Sequence, residues 1–563
     1  MILDSSKLEG EHLRCQVCIV GSGAAGITLA LELGNEKLDI ILVAGGGYEQ
    51  SESDRKLHEG SIDPQDSHEP LEENRHRAFG GATNRWGGRL VPFDAIDFES
   101  RPFMNFSGWP IPYAEVANRY SRAMTLCETI PAEFRQRSNS LQFDLPDILE
   151  GGAIETTTCE RWSMPTDFGI RYREPLATSC HIRVLLNYHA VNLNLHSKLD
   201  RVDSIPIVSR DGQPLRVFAE VFILATGGIE NARLLLVSRS QIADGVGNQN
   251  DMVGRCYMSH IAGTHGFVRL KSAKRQKPLF YRLAKDQHGT YSRRRFRLRD
   301  QAQRDLKVGN VIGFPMRSEA SDPRHGDAVL SFLYLAEALS GGNRSGRLSW
   351  RIFAGHVNNC IFNNPLAWIS VAKQLWLRSQ RPRLPFVLPY KSEAQDALFF
   401  QAEHTPNYES RLLLDGEVDE FGVPRIQARV RFSEIDRLTV IEFYRQLDHG
   451  LRWAELGSLD YDEAMLERYL GSITTRFNSF AHHLGTTRMS TDPRSGVVDP
   501  DCRVHSICNL YVSGGSVFPT SGHANPTLTI IALALRLADY LKSQFRRPVI
   551  PALGKSRSCP AFS

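Results

Sequence analysis

Charge of one sign, patterned cysteine and long apolar runs are all scarce in this chain of 563 residues. Its 67 Lys and Arg stand against 63 Asp and Glu, a net charge of only +4. So small an excess over so long a chain supplies no global field to draw in DNA, and a nucleic-acid-binding role is excluded on charge. The 10 cysteines follow no repeating spacing. The one C-x-x-C, Cys15 to Cys18, lies inside the apolar run CQVCIVG, where a zinc knuckle or redox pair would need a turn. It reads as two thiols of a buried strand, no metal is expected, and the scatter of cysteines suits a reducing compartment. No apolar stretch reaches the roughly 18 uninterrupted residues of a membrane helix. Residues 1–15 lack a basic segment followed by an apolar one, so the expectation is a cytoplasmic protein.

The chain does have ordered glycine. Residues 15–47 read as a strand, a glycine turn, a helix and a second strand ending near Ala44. Near-continuous Val and Ile suit parallel strands buried on both faces. Gly21-Ser22-Gly23-Ala24-Ala25-Gly26 sits where a dinucleotide-binding G-x-G-x-x-G belongs. Gly21 permits the tight turn, Gly23 lets backbone approach a pyrophosphate, and Gly26 lets the helix pack on the sheet. The helix N-terminus, with Ala24 and Ala25, offers free N–H groups to phosphate. Val43 stands where an acid normally holds the adenosine ribose, so those contacts must come from elsewhere.

Further along, residues 181–225 alternate as strands and a helix opens after Gly227–Gly228. From about 265 to 470 short β-like pieces and basic loops give way to apolar-aromatic helices around 350–390. After 471 a strand, a turn and a long helix from Pro526 return to the first style. The fold class read from this order is α/β: a Rossmann-like domain with an inserted α+β substrate domain of antiparallel sheet and helices. The expected boundaries are 1–95, 196–262 and 471–545 for the nucleotide domain, and 96–195 and 263–470 for the substrate domain. Residues 546–563 form a tail.

Three further stretches carry a resemblance. FGGATNRWGGRL (79–90), VFILATGGIENARLLLVS (221–238) and the run from HHLGTTRMS to ANPTLTIIALAL (482–535) occur in this order, with weaker echoes between them. In these stretches the chain resembles the glucose–methanol–choline (GMC) flavin oxidoreductases, nearest their pyranose-oxidase-like and glycoside-dehydrogenase-like branch. The resemblance implies FAD as cofactor, placed against Gly80, Gly81, Asn84, Trp86, Gly87, Gly88, Gly227, Gly515, Ser516, Asn525, Pro526 and Thr527 besides the first glycine motif. It implies His482 as catalytic base and Asn525 as its partner, with His483 as wall. His523 and Arg85 are candidate substrate contacts. Some relatives link flavin covalently through a His at the place of Arg85; arginine cannot, so the FAD is expected to be non-covalent.

The implied reaction is oxidation of an alcohol, foremost a secondary hydroxyl of a sugar or glycoside. A neutral imidazole accepts the hydroxyl proton while hydride leaves the carbon for flavin N5. Sterols, polyols and antibiotic-pathway alcohols are the alternatives, and a catalytically inactive flavoprotein used as a binding partner is the alternative class. The acceptor is oxygen or a separate carrier, with a lean to dehydrogenase over oxidase. The Arg-rich run 293–299 reads as a solvated face. The apolar, basic-flanked segment 364–389 reads as a buried helix, with membrane contact the minor alternative. Oligomeric state is left open.

Overall fold

The computed structural model describes residues 1–4, 11–65, 68–134, 149, 151–270, 284–286, 289–317, 321, 323–339, 349–361, 367–379, 396–473 and 482–546. The expected tail beyond 546 lies outside the described residues.

A nine-stranded sheet organises the nucleotide-binding unit. Ile2–Asp4, Ile182–Leu186, Ile40–Ala44, His12–Val20 and Pro214–Leu224 lie side by side in parallel, and Leu510–Val512 also pairs in parallel with Pro214–Leu224. Val202–Ser209 turns back antiparallel at the other edge. Val17–Val20 and Ile40–Ala44 are buried throughout, as an apolar run without alternation requires when both faces are covered. Helix Ala24–Gly34 and the terminal helix Thr527–Phe545 pack together on one face, burying Ile27, Leu29, Ala30 and Leu33 against Ile531, Leu535 and Ala538.

The second unit is built on a six-stranded antiparallel sheet in the order Gly457–Asp460, His260–Leu270, Asp396–Glu403, Val311–Arg317, Phe296–Leu298, Ile154–Glu155. Helix Glu434–Trp453 covers it with Val440, Phe443, Tyr444, Leu447 and Leu451. Its start is fixed by a capping box: the Asp436 amide donates to Ser433 Oγ at 3.3 Å and the Ser433 amide to the Asp436 carboxylate at 2.6 Å. The α/β class with an inserted antiparallel unit therefore stands.

The boundaries move. Strand Ile182–Leu186 and the short pieces Tyr188–Ala190 and Asn194–Leu195, expected in the second unit, belong to the nine-stranded sheet. His260–Leu270 starts the second sheet three residues before the expected start at 263. Gly60–Asp63 and Arg89–Leu90, expected in the first unit, pair with Pro424–Arg429 and Cys159–Trp162. Strand pairing is long-range, and no local pattern announces a partner 366 residues away (Asp63 with Arg429).

The arginine run is a second correction. Arg294, Arg295 and Arg297 are buried and Arg293 is partly buried, so the run is not a solvated face. Arg297 is bound by Asp94 (2.8 Å), Glu155 (2.6 Å) and Asp300. Arg293 pairs with Glu160 at 2.7 Å and lies over the Phe314 ring. A strand register that alternates inward sends arginines into the interior only where carboxylates meet them. Helix Ala367–Ser379 differs too: apart from Val371, its described apolar side chains face solvent. Among the described residues no helix is long and apolar enough to cross a membrane, and no cluster of three His, Cys, Asp or Glu is arranged to hold a metal.

Candidate active site

The carboxyl ends of the parallel strands open into an elongated cavity of about 470 Å³. One end is lined by Val43, Gly45, Gly46, Arg77 and His189; the middle by Gly21, Gly23, Ala24, Ala25, Gly81 and Gly227; the other end by Trp86, His482, Gly515, Pro526 and Thr527. Long clefts at this edge of a parallel sheet are where dinucleotides bind.

The glycines are there because side chains would collide. Gly21 has φ +109°, and a Cβ would strike the Ala225 carbonyl; at Gly26 it would strike the Gly21 carbonyl. A Cβ on Gly81 would come within 2.9 Å of Gly23 Cα, so the 79–90 loop is seated directly on the first glycine turn. Gly23 itself faces open cavity. Helix Ala24–Gly34 begins with no side-chain cap and no acid in its first turn, and the same holds for Thr527–Phe545. Both N-termini therefore present free N–H groups and a partial positive charge toward the cavity.

At the strand end where the acid is missing, residues from other segments close the gap. Arg77 lies against Gly45, with its Nε 3.2 Å from His58 Nε2 and its Nη1 3.2 Å from His189 Nδ1. Glu230, first residue of helix Glu230–Val237, faces Arg75, Arg77 and Arg233. Burial alone would raise its pKa; the three guanidiniums hold it at about 2 instead.

At the other end, Asn525 Nδ2 lies 3.3 Å from His482 Nε2, and His482 Nδ1 lies 2.9 Å from His260 Nδ1. Gln401 donates to the His523 carbonyl at 2.5 Å and sits 3.4 Å from Asn525 Oδ1, while its own carbonyl accepts from Arg89 at 2.9 Å. With its oxygen turned to Gln401, the Asn525 amide directs N–H at His482 Nε2. That nitrogen must then be an acceptor, and the imidazole proton sits on Nδ1, donated to His260. Burial, reinforced by Arg89, lowers the His482 pKa to about 3, so the ring is neutral at physiological pH.

The other expected residues divide. Gly26, Gly80, Asn84, Gly87, Gly88, Ser516 and Asn525 do not line the cavity, although Asn525 reaches its edge through His482. Asn84 donates to the Phe79 carbonyl at 2.9 Å and Ser516 receives Asn231 at 2.9 Å, so both shape loops. Trp86 is on the wall, its indole N–H tied to the Thr166 carbonyl at 2.9 Å. Arg85 is exposed at the cavity edge. His483 is wall, hydrogen-bonded to Tyr257 at 2.6 Å. His523 is fully buried off the cavity, bound to Asp94 at 3.0 Å, so it supports the site from behind. Sequence reasoning missed Arg77, His189, Glu230, His260, Gln401 and Arg89. Arg89 and Glu230 lie inside the stretches 79–90 and 221–238, whereas Arg77, His189, His260 and Gln401 come from outside the three resembling stretches.

Residues 406–534, which include the His482 and Asn525 segment, match the model of the GMC oxidoreductase family. In this region the chain is similar to the C-terminal domain of the GMC oxidoreductases. It is 25% identical to 6'''-hydroxyparomomycin C oxidase of Streptomyces lividus, covering 94% of this chain and 91% of that one. It is also 25% identical to paromamine 6'-oxidase of Streptomyces fradiae, over 93% and 90%. Among solved structures it is similar in fold to an FAD-dependent oxidoreductase from Chaetomium thermophilum, with a TM-score of 0.53, 13% identity, and 94% and 100% coverage. The cofactor is FAD, and the cavity fits it. Glycine contacts too tight for a Cβ, two uncapped helix N-termini and a cleft running from Val43 to His482 are what a long dinucleotide needs. Buried polar atoms without a protein partner, Ser513 Oγ, His58 Nδ1 and His76 Nδ1, border the same space.

Proposed function

We propose that the enzyme oxidises a hydroxyl of a sugar or aminoglycoside-type glycoside to the carbonyl, with His482 as base. The observation that carries this reading is the chain Gln401–Asn525–His482–His260, which fixes an unprotonated Nε2 at the cavity edge. Bound FAD supplies the hydride acceptor. With substrate bound, His482 Nε2 takes the hydroxyl proton, the Asn525 N–H turns from Nε2 to donate to the same oxygen, and His260 holds the imidazole in the tautomer that leaves Nε2 unprotonated. The carbohydrate class is supported by the two relatives that match over nearly the full chain, both of which are named for hydroxyparomomycin or paromamine. Both are also named oxidases, which favours oxygen over a separate carrier as acceptor and reverses the lean drawn from sequence alone.

The test is anaerobic bleaching of the enzyme's flavin absorbance against monosaccharides, glycosides, aminoglycosides, polyols and sterols, followed by admission of air. Carbohydrates should bleach it, and air should restore the colour with formation of peroxide. Bleaching by sterols alone would overturn the substrate class, and a reduced spectrum that persists in air would overturn the choice of oxygen.

The FAD is held without a covalent bond in this reading, because Arg85 stands where a linking histidine would be. Acid precipitation should leave a colourless pellet and a yellow supernatant. Colour retained on the polypeptide would reject it.

A further inference from the structure

Helix Ala367–Ser379 has the spacing of an amphipathic helix but turns its apolar stripe outward. Trp368, Ile369, Ala372, Leu375 and Trp376, at i, i+1, i+4, i+7 and i+8, are all exposed, while Val371 is buried. Beside it, helix Trp350–Ile361 exposes Trp350 at 76% and Ile361 at 50%, and both helices pack on Ala328–Leu339. Three of the seven tryptophans are thus exposed on two helices that share a packing partner, and none of them lines the active-site cavity. An exposed apolar stripe such as that of Ala367–Ser379 marks a contact surface.

Charge identifies the partner. Between Glu337 and Glu393 the chain carries eight lysines and arginines and no acid, although its total net charge is only +4. The remainder of the chain is therefore net acidic. Among the described side chains, Arg351 and Lys373 are exposed beside the apolar stripe. Tryptophans in an apolar stripe, flanked by cations and free of acids, match the boundary of an anionic bilayer: indoles favour the headgroup level and cations favour the lipid charge. The 13-residue helix is too short to span, so the contact lies along the surface.

We propose that helices Trp350–Ile361 and Ala367–Ser379 form a docking surface for an anionic lipid bilayer. The surface is independent of the substrate and acceptor assigned to the active site.

The test is flotation of the full-length holoenzyme with vesicles of phosphatidylcholine plus phosphatidylglycerol, and with phosphatidylcholine alone, at low and raised salt. The enzyme should float with the mixed vesicles, with its tryptophan emission shifted to shorter wavelength, and should be released as salt rises. The pair Trp368→Ser and Trp376→Ser should abolish flotation, and the pair Arg351→Glu and Lys373→Glu should weaken it by at least about tenfold. Both variants should keep bound flavin and the parent melting temperature, since every changed side chain faces solvent. Absence of flotation with the mixed vesicles would overturn the proposal. So would equal, salt-insensitive flotation with both vesicle types. A concentration-dependent dimer in light scattering, dispersed by the tryptophan pair, would overturn it by assigning the surface to a second copy of the chain.

Discussion

His482→Ala is expected to slow substrate-driven bleaching of the flavin by about 10²–10⁴-fold while FAD stays bound. The imidazole stands at the cavity edge held by hydrogen bonds on both sides, Nε2 to Asn525 at 3.3 Å and Nδ1 to His260 at 2.9 Å. Deleting it removes the proton acceptor but no glycine contact and no helix N-terminus, so cofactor content is the control. The wild-type rate should also carry a pH signature. With its pKa lowered to about 3 by burial and by Arg89, His482 is already neutral throughout the range in which an ordinary histidine titrates. Protonation disables a base, so the rate should fall only under strongly acid conditions, and kcat/KM should show no inflection near the usual histidine pKa of about 6.5. A rate for His482→Ala close to wild type, measured by anaerobic stopped flow, would remove the assignment. A clear inflection near that pKa would instead place the essential proton on another group.

Arg297→Leu is expected to cost stability of order 3–5 kcal/mol, read by thermal and denaturant unfolding. Arg297 is fully buried among Asp94, Glu155 and Asp300, and Asp94 also holds His523 and Asn310. Burial opposes the Asp94 charge, but Arg297 and then His523 outweigh it and hold the carboxyl well below its usual pKa. The folded-state pKa is depressed, so this pair's stabilisation is present above the unfolded carboxylate pKa and is lost as pH falls through the folded one. Leucine fills the space yet leaves Asp94 and Glu155 buried without their cation, and deletion of one partner is the costly way to break such a group. Because His523 and Asn525 lie on the same segment, flavin bleaching should slow as well. A melting temperature within about a degree of wild type would show that the carboxylates find water or each other at little cost.

The cofactor half of the site was legible because its signals are local. Gly21, Gly23 and Gly26 answer to steric demands met within one turn, and His482 and Asn525 lie in one recognisable segment. The partners that make those residues work were not legible. Gln401, Arg89 and His260 come from three different strands, and a polar residue in an apolar strand gives no sign of which loop it will face. The same limit explains the arginine run: strand alternation was visible, but the carboxylates of Asp94, Glu155 and Glu160 that make burial tolerable lie far off in sequence. Domain borders failed for a related reason. Ile182–Leu186 reads as a strand in any context, and only pairing with Ile40–Ala44 assigns it to the first sheet. The exposed stripe of Ala367–Ser379 was mistaken for a core face because periodicity defines a stripe without saying what covers it.

Strand Asp396–Glu403 bears on how this enzyme could be re-engineered. Leu398, Phe400 and Ala402 fill the second core, whereas Phe399, Gln401 and Glu403 point the other way, Phe399 stacking on Phe314 and Gln401 reaching Asn525. The three core positions cannot be varied without opening a void, and the other face is constrained too, with Glu403 buried against Arg101 at 2.7 Å and Gln401 buried beside it. Gln401 is also tethered to the base through Asn525. A library aimed at new substrate preference through this wall therefore has few free letters, and a change at Gln401 would alter the proton acceptor together with the pocket.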